Sequence, residues 1–176
     1  VPRASNHTCS SPLNFERSII LSLSSRVPKF LFDELTRAII NFAQPQLSSI
    51  INAASVGSVS AYPLCIAYGT SKGGIRLQTQ NLAVDLAKFR IRVNCYGPTA
   101  IATDMVTEYI KQADDPIAFE NSMTGKGLIP RLGLPEEVAE LVCFLASPEA
   151  GFINGTYIPI DGGQLAWHGN IDELNL

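Results

Sequence analysis

The chain has 176 residues, of which 46% are hydrophobic and 16% are charged, and its formal net charge is −3. This length and composition predict one globular domain with a buried core, and they exclude a disordered chain or two domains of ordinary size. The small acidic charge, with no run of Lys or Arg, argues against nucleic acid or an anionic membrane as a partner.

The four cysteines are widely spaced and form no C-x-x-C pair: Cys9, Cys65, Cys95 and Cys143. This spacing argues against a metal site or a disulfide framework and favours reduced thiols, with Cys65 and Cys95 as packing residues. The start of the chain has no signal-type apolar segment, and no apolar run approaches the length of a membrane span. We therefore expect a cytoplasmic protein that does not cross a membrane.

The first 48 residues indicate a polar lead-in followed by helices. Residues 1–14 are polar and contain two prolines. The apolar-rich segment 15–23 has helical spacing and is interrupted before Pro28. A second helix is predicted over 29–42, where apolar residues recur at near-helical intervals.

The middle of the chain alternates between strands and a long helix. The short apolar run 49–54 predicts a buried parallel strand that ends at Ser55. A loop follows, then an amphipathic helix that carries Tyr68 and Lys72, then a second strand over 91–96. Ligands of open α/β sheets bind at the carboxyl ends of the strands, so Ser55 has a position typical of a functional residue.

The last third predicts shorter elements. A helix is expected over 103–112 with Thr103 as its N-cap, and the polar segment 114–127 is expected to form a mobile lid. A further helix begins at Pro135 and ends before Pro148. A third strand over 157–160 precedes Asp161-Gly162-Gly163, which we interpret as a turn, and a tail over 164–176.

Three polar side chains in the middle of the chain have functional groups that suit one kind of reaction: Ser55, Tyr68 and Lys72. On a helix, Tyr68 and Lys72 are one turn apart on the same face. An ammonium group beside a phenol favours the phenolate, and phenol, ammonium and hydroxyl together suit proton transfer at a carbonyl or alcohol oxygen. The structural alternative is a core tyrosine, a solvated lysine and a serine that simply ends a strand.

The sequence resembles the short-chain dehydrogenase/reductase family over about residues 15–163. Tyr68-x-x-x-Lys72 fits the catalytic pair of that family, and Ser55 stands thirteen residues before Tyr68, as the family's serine does. The segments 88–105 and 131–163 are similar to the parts of the family that follow the catalytic helix.

The resemblance implies an α/β fold: a truncated Rossmann-like, doubly wound parallel sheet of about three strands with flanking helices. The whole chain, 1–176, would be a single incomplete domain of this kind. The implied activity is that of an oxidoreductase that transfers hydride between NAD or NADP and a secondary alcohol or ketone.

The resemblance also implies a role for individual residues. Tyr68 would be the general acid/base, Lys72 would favour its phenolate and hold the nicotinamide ribose, and Ser55 would hydrogen-bond the substrate carbonyl. Three further residues match family positions beside the nicotinamide: Pro98, Ile101 and Thr103. A helix cap is the alternative role of Thr103.

The substrate and the subunit contacts are also matters of resemblance and position. Four residues are expected to form the wall of a pocket for an apolar substrate body: Tyr62, Leu64, Ile66 and Met105. In the resembled family, the helices corresponding to 29–42 and 68–88 commonly build a subunit interface, so a homo-oligomer is expected.

Three departures from the family pattern temper the functional expectation. Ser22 stands where the family has a catalytic asparagine, Thr99 stands where it usually has glycine, and the chain contains no G-x-x-x-G-x-G turn. We therefore expect this chain alone to bind cofactor poorly and to turn over slowly or not at all. The alternatives are a catalytically silent relative that acts through protein association, or a fragment of a longer enzyme.

Overall fold

A computed structural model of the chain describes residues 18–21, 49–125 and 127–168, the first of these by its backbone alone. The described residues form one parallel sheet in the order β1-β2-β3-β4. Its strands are β1 (Ser18–Leu21), β2 (Ser49–Ala53), β3 (Arg92–Pro98) and β4 (Tyr157–Ile160). The register pairs Ser18 with Ser49, Ser49 with Arg92, and Cys95 with Tyr157.

The helices of the described residues connect these strands. They are α1 (Ile66–Leu86), α2 (Asp104–Gln112), α3 (Pro116–Thr124) and α4 (Pro135–Ala146). The chain runs from β2 through α1 to β3, and from β3 through α2, α3 and α4 to β4. Parallel neighbours require such crossover connections, because a short hairpin can join only antiparallel strands.

The sheet is covered by a helix on each face. On one face Ile50 packs with Leu82 and Leu86 of α1, and on the other Ile51 packs with Val142 and Leu145 of α4. Successive side chains of a strand point to opposite faces, so the adjacent isoleucines of β2 contribute to two different clusters. The result is a three-layer, Rossmann-like α/β fold, as the sequence predicted.

The sequence analysis was wrong about β1 and about the number of strands. A helix was expected over 15–23, yet residues 18–21 form a strand that pairs with β2 along its whole length, so the sheet has at least four strands rather than three. Short apolar runs such as Ile19-Ile20-Leu21 fit either element by periodicity alone. The helix predicted over 29–42 and the position of Ser22 lie outside the described residues.

The segment 114–127, which was predicted as a mobile lid, contains the helix α3. The first turn of this helix is capped by Asp115, whose Oδ1 accepts from the Ala118 amide at 3.0 Å. Pro116 occupies the first helical turn, a position that needs no backbone donor. The sequence predictions were confirmed for two helices: α2, whose N-cap is Thr103, and α4, which begins at Pro135.

The carboxyl ends of β2, β3 and β4 lie at the same edge of the sheet because all three strands are parallel. The loops that leave this edge are residues 54–65, 99–103 and 161–168. Ser55, Gly57 and Tyr62 lie in the first of these loops, and Ile101 and Thr103 lie in the second.

Candidate active site

Ser55 is the second residue after the end of β2. It is almost fully buried, with 5% of its surface exposed. Its extended backbone (φ −170°) makes it the N-cap of a single 3-10 turn over Val56–Ser58, and its Oγ accepts from the Gly57 amide at 3.1 Å. Because this bond occupies the oxygen as an acceptor, the hydroxyl hydrogen can be turned towards a ligand oxygen.

Tyr68 lies in the first turn of α1, and 49% of its surface is exposed. The surroundings of Gly57 show how close the ring of Tyr68 comes to Ser55. A Cβ built on Gly57 would stand 3.1 Å from Cε1 of Tyr68 and 3.5 Å from Oγ of Ser55. The phenol ring and the serine hydroxyl therefore border the same small space, which glycine leaves open.

Lys72 is one helical turn beyond Tyr68. Its Nζ lies 5.9 Å from the centroid of the Tyr68 ring and donates to the carbonyl of Ala53, the last residue of β2, at 2.9 Å. Partial burial lowers the pKa of Lys72. The ammonium group is thus fixed between the strand end and the phenol ring, and the structure brings all three predicted side chains to one edge of the sheet.

A cleft of about 650 Å³ adjoins Tyr68. It lies between the loop after β2 and the first half of α1, and it is lined by residues 57–62, 65–66, 68–70 and 76. Tyr62 and Ile66, two of the predicted pocket residues, belong to its wall.

The other two predicted pocket residues do not line this cleft. Leu64 has a left-handed backbone (φ 60°) and a fully exposed side chain. Met105 lies in the first turn of α2 and is 62% exposed. The predicted place of Leu64 and Met105 in the wall is therefore wrong for this cleft, because both side chains are exposed to solvent outside it.

The three residues expected beside the nicotinamide lie at the end of β3 or shortly after it. Pro98 is the last residue of that strand. Ile101 forms an isolated bridge with Gly133, which fixes this turn against the start of α4. Thr103 caps α2: its Oγ1 accepts from the Val106 amide at 3.4 Å. The cap is thus one role of Thr103 in this structure.

Tyr157 of β4 supports Ser55 and was missed by the sequence analysis. Its hydroxyl donates to the Ser55 carbonyl at 3.2 Å, and its ring lies over Gly97 of β3. The Arg76 guanidinium lies 5.9 Å from the ring centroid, and burial raises the pKa of the Tyr157 phenol. The available signal was Gly97, because glycine inside a strand often marks a close approach.

The described residues hold no group of three or more His, Cys, Asp or Glu side chains that could bind a metal ion. Among the same residues, no helix is both long enough and apolar enough to span a membrane.

Comparison with known proteins shows that the chain belongs to the short-chain dehydrogenase/reductase family. A family model described as enoyl-(acyl carrier protein) reductase matches residues 15–164. Ser55, Tyr68 and Lys72 all fall within this match.

Individual relatives agree with the family. The chain is 38% identical over 132 residues to cyclopentanol dehydrogenase of Comamonas sp. (strain NCIMB 9872), covering 74% of this chain and 51% of that protein. It is 36% identical over 119 residues to levodione reductase of Leifsonia aquatica, covering 66% and 45%. A short-chain dehydrogenase structure from Francisella tularensis subsp. tularensis SCHU S4 superposes with a TM-score of 0.70 at 31% identity, covering 85% and 71%.

The chain therefore spans about half the length of the curated relatives that it matches.

Proposed function

We propose that the chain carries the proton-transfer half of an oxidoreductase that interconverts a secondary alcohol and a ketone with NAD or NADP. The observation that supports this proposal most strongly is the meeting of Ser55, Tyr68 and Lys72 at the carboxyl edge of the sheet. The alternative of a core tyrosine and a solvated lysine fits less well, because Tyr68 is half exposed and the Lys72 ammonium is held on the strand end.

Each residue has a distinct task in the proposed reaction. In the reductive direction, the Tyr68 hydroxyl donates its proton to the substrate oxygen, and in the oxidative direction its phenolate accepts the alcohol proton. The Lys72 ammonium, 5.9 Å from the centroid of the phenol ring, would hold the nicotinamide ribose. Ser55 donates to the substrate oxygen and stabilises the negative charge that develops there.

The described residues fit the nicotinamide end of a cofactor. The Lys72 ammonium has three hydrogens, of which the bond to Ala53 uses one, so donors remain for ribose hydroxyls. Pro98, Ile101 and Thr103 follow the neighbouring strand and would border the nicotinamide. The cofactor, when bound, supplies or accepts the hydride. NAD and NADP share this end, so the proposal covers both.

The proposed substrate has an apolar body. Two relatives are named for cyclopentanol, a secondary alcohol, and for levodione, a ketone. Ile66 and Val59 contribute apolar surface to the cleft beside Tyr68. We therefore propose a small, apolar, cyclic alcohol or ketone as the substrate class, and a cytoplasmic location consistent with the free thiols of Cys65 and Cys95.

The experiment compares the wild-type chain with Tyr68→Phe, in an assay of nicotinamide absorbance with cyclopentanone and NADH or NADPH. We expect Tyr68→Phe to lose about 10²- to 10⁴-fold in turnover, the usual contribution of a general acid. Tyr109→Phe, at an exposed position of α2, is the matched control and keeps full activity. Equal rates for wild type and Tyr68→Phe would reject the proposed role of Tyr68. A wild type without turnover would agree with the expectation of a chain that is inactive alone and would reject the proposed activity of this chain.

A second candidate function, protein association without catalysis, is favoured by one face of α1. Ile66, Leu77 and Val84 of this helix are 87%, 59% and 76% exposed. We propose a second copy of the chain as the partner, through a helix-to-helix contact. Sedimentation of the wild type as a dimer and of Leu77→Glu/Val84→Glu as a folded monomer would support it, and a monomeric wild type would contradict it.

A further inference from the structure

Three side chains connect the loops that leave β2, β3 and β4: Tyr62, Thr99 and Gln164. The Gln164 Nε2 donates to the Tyr62 hydroxyl at 2.7 Å. The Thr99 hydroxyl donates to the Gln164 Oε1. All three side chains are half-buried, and Tyr62 belongs to the wall of the cleft beside Tyr68.

The hydrogen bonds among Tyr62, Thr99 and Gln164 pass through the two ends of one amide group. An amide side chain has one accepting oxygen and one donating nitrogen. The Thr99 hydroxyl donates to the oxygen, and the nitrogen faces Tyr62, whose oxygen accepts. The Tyr62 hydroxyl hydrogen consequently points away from Gln164.

Gln164 is itself anchored on a well-connected turn. Asp161 accepts with its carboxylate from the amides of Gly163 and Leu165 at 3.0 and 2.8 Å, and its carbonyl accepts from the Gln164 amide at 3.1 Å. The Thr99 amide donates to the carbonyl of Ile160 at 3.3 Å. Gln164 therefore connects the loop that carries Tyr62 to a turn that has hydrogen bonds of its own.

We propose that Gln164 is a positioning residue that fixes Tyr62 in the wall of the cleft and so determines which substrates fit. Thr99 orients the Gln164 amide, which a glycine at that position could not do. The consequence for substrates rests on the function proposed above, whereas the physical connection between the loops does not.

The connection is tested by hydrogen exchange of the wild-type chain and three variants. Gln164→Met keeps the side-chain size but removes both bonds, Thr99→Val removes the bond that orients the Gln164 amide, and Thr99→Ser keeps the donor. We expect exchange in the segment 57–65 to be about five-fold faster in the first two variants, the effect of one net hydrogen bond, and unchanged in Thr99→Ser. Exchange in β3 stays the same. Unchanged exchange in 57–65, or an equal increase throughout the molecule, would overturn the proposal.

The substrate consequence is tested by steady-state kinetics with cyclopentanone and a bulkier cyclic ketone. Gln164→Met is expected to raise KM for the bulkier ketone at least three-fold while kcat stays within about two-fold, since Tyr62 binds but does not react. Gln112→Met, at an exposed position of α2, is the matched control. A faster-exchanging loop with unchanged KM would overturn the specificity role. Loss of activity in Tyr68→Phe alone tests the proposed function separately.

Discussion

Replacement of Gly97 by alanine offers a sharp test of how the sheet supports Ser55. A Cβ at Gly97 would overlap the hydroxyl and two ring carbons of Tyr157. The ring cannot move away without stretching the bond from its hydroxyl to the Ser55 carbonyl, which is 3.2 Å long. Overpacking costs about 1–3 kcal/mol and the hydrogen bond about 1 kcal/mol, so Gly97→Ala should lower the free energy of unfolding by about 2–4 kcal/mol.

A double-mutant cycle isolates this contact. In a Tyr157→Ala background the space above Gly97 is open, so Gly97→Ala should change stability by less than about 1 kcal/mol. Urea unfolding followed by circular dichroism measures all four free energies, with an unchanged m-value as the check on two-state behaviour. Gly74→Ala is the matched control, because nothing lies within 4 Å of its Cβ position in α1. An equal cost of Gly97→Ala in both backgrounds would refute the reasoning.

Three further predictions concern other contacts. Arg92 donates to the carbonyls of Leu145 and Ser147 at 2.9 and 3.0 Å. Because lysine lacks the planar fork of donors, Arg92→Lys should lower the free energy of unfolding in urea by about 1–2 kcal/mol. An unchanged unfolding midpoint would contradict this prediction. The Asn52 Nδ2 donates to the buried Thr79 hydroxyl at 2.9 Å, so Thr79→Val should cost about 1–3 kcal/mol while Thr79→Ser should be nearly neutral; equal costs would count against the bond. Arg131 and the Leu134 amide lower the pKa of Glu137 to about 2 from 4.5, so its contribution to stability is present above pH 4.5 and lost as the pH falls towards 2. The Tm difference between wild type and Glu137→Gln should therefore close across that window, and a difference independent of pH would contradict the assignment.

The positions that could be predicted from the sequence are those that depend on residues nearby along the chain. The spacing of Tyr68 and Lys72 fixes their common helix face, and the end of an apolar run locates Ser55. Proline followed by two acidic residues likewise marked the start of α4 at Pro135. These positions follow from the chain within one or two helical turns.

The residues that the sequence did not locate depend on contacts between distant segments. Tyr157 reaches the Ser55 carbonyl, and Gln164 reaches Tyr62, across 102 residues in each case. Nothing in the neighbourhood of Tyr157 or Gln164 encodes those partners, because parallel pairing of β2, β3 and β4 alone brings the loops together. The strand β1 was missed because its apolar run of three residues, Ile19-Ile20-Leu21, is too short to show a helical or a strand period.

The order of the strands in the sheet is the same as their order along the chain. Each newly synthesised strand of this region can therefore add to the one made just before it, without waiting for a later segment to fill a gap. The entropic cost of closing each loop is limited to a single crossover. Such an arrangement suits growth from one side during translation, with the strand that supports the serine arriving last.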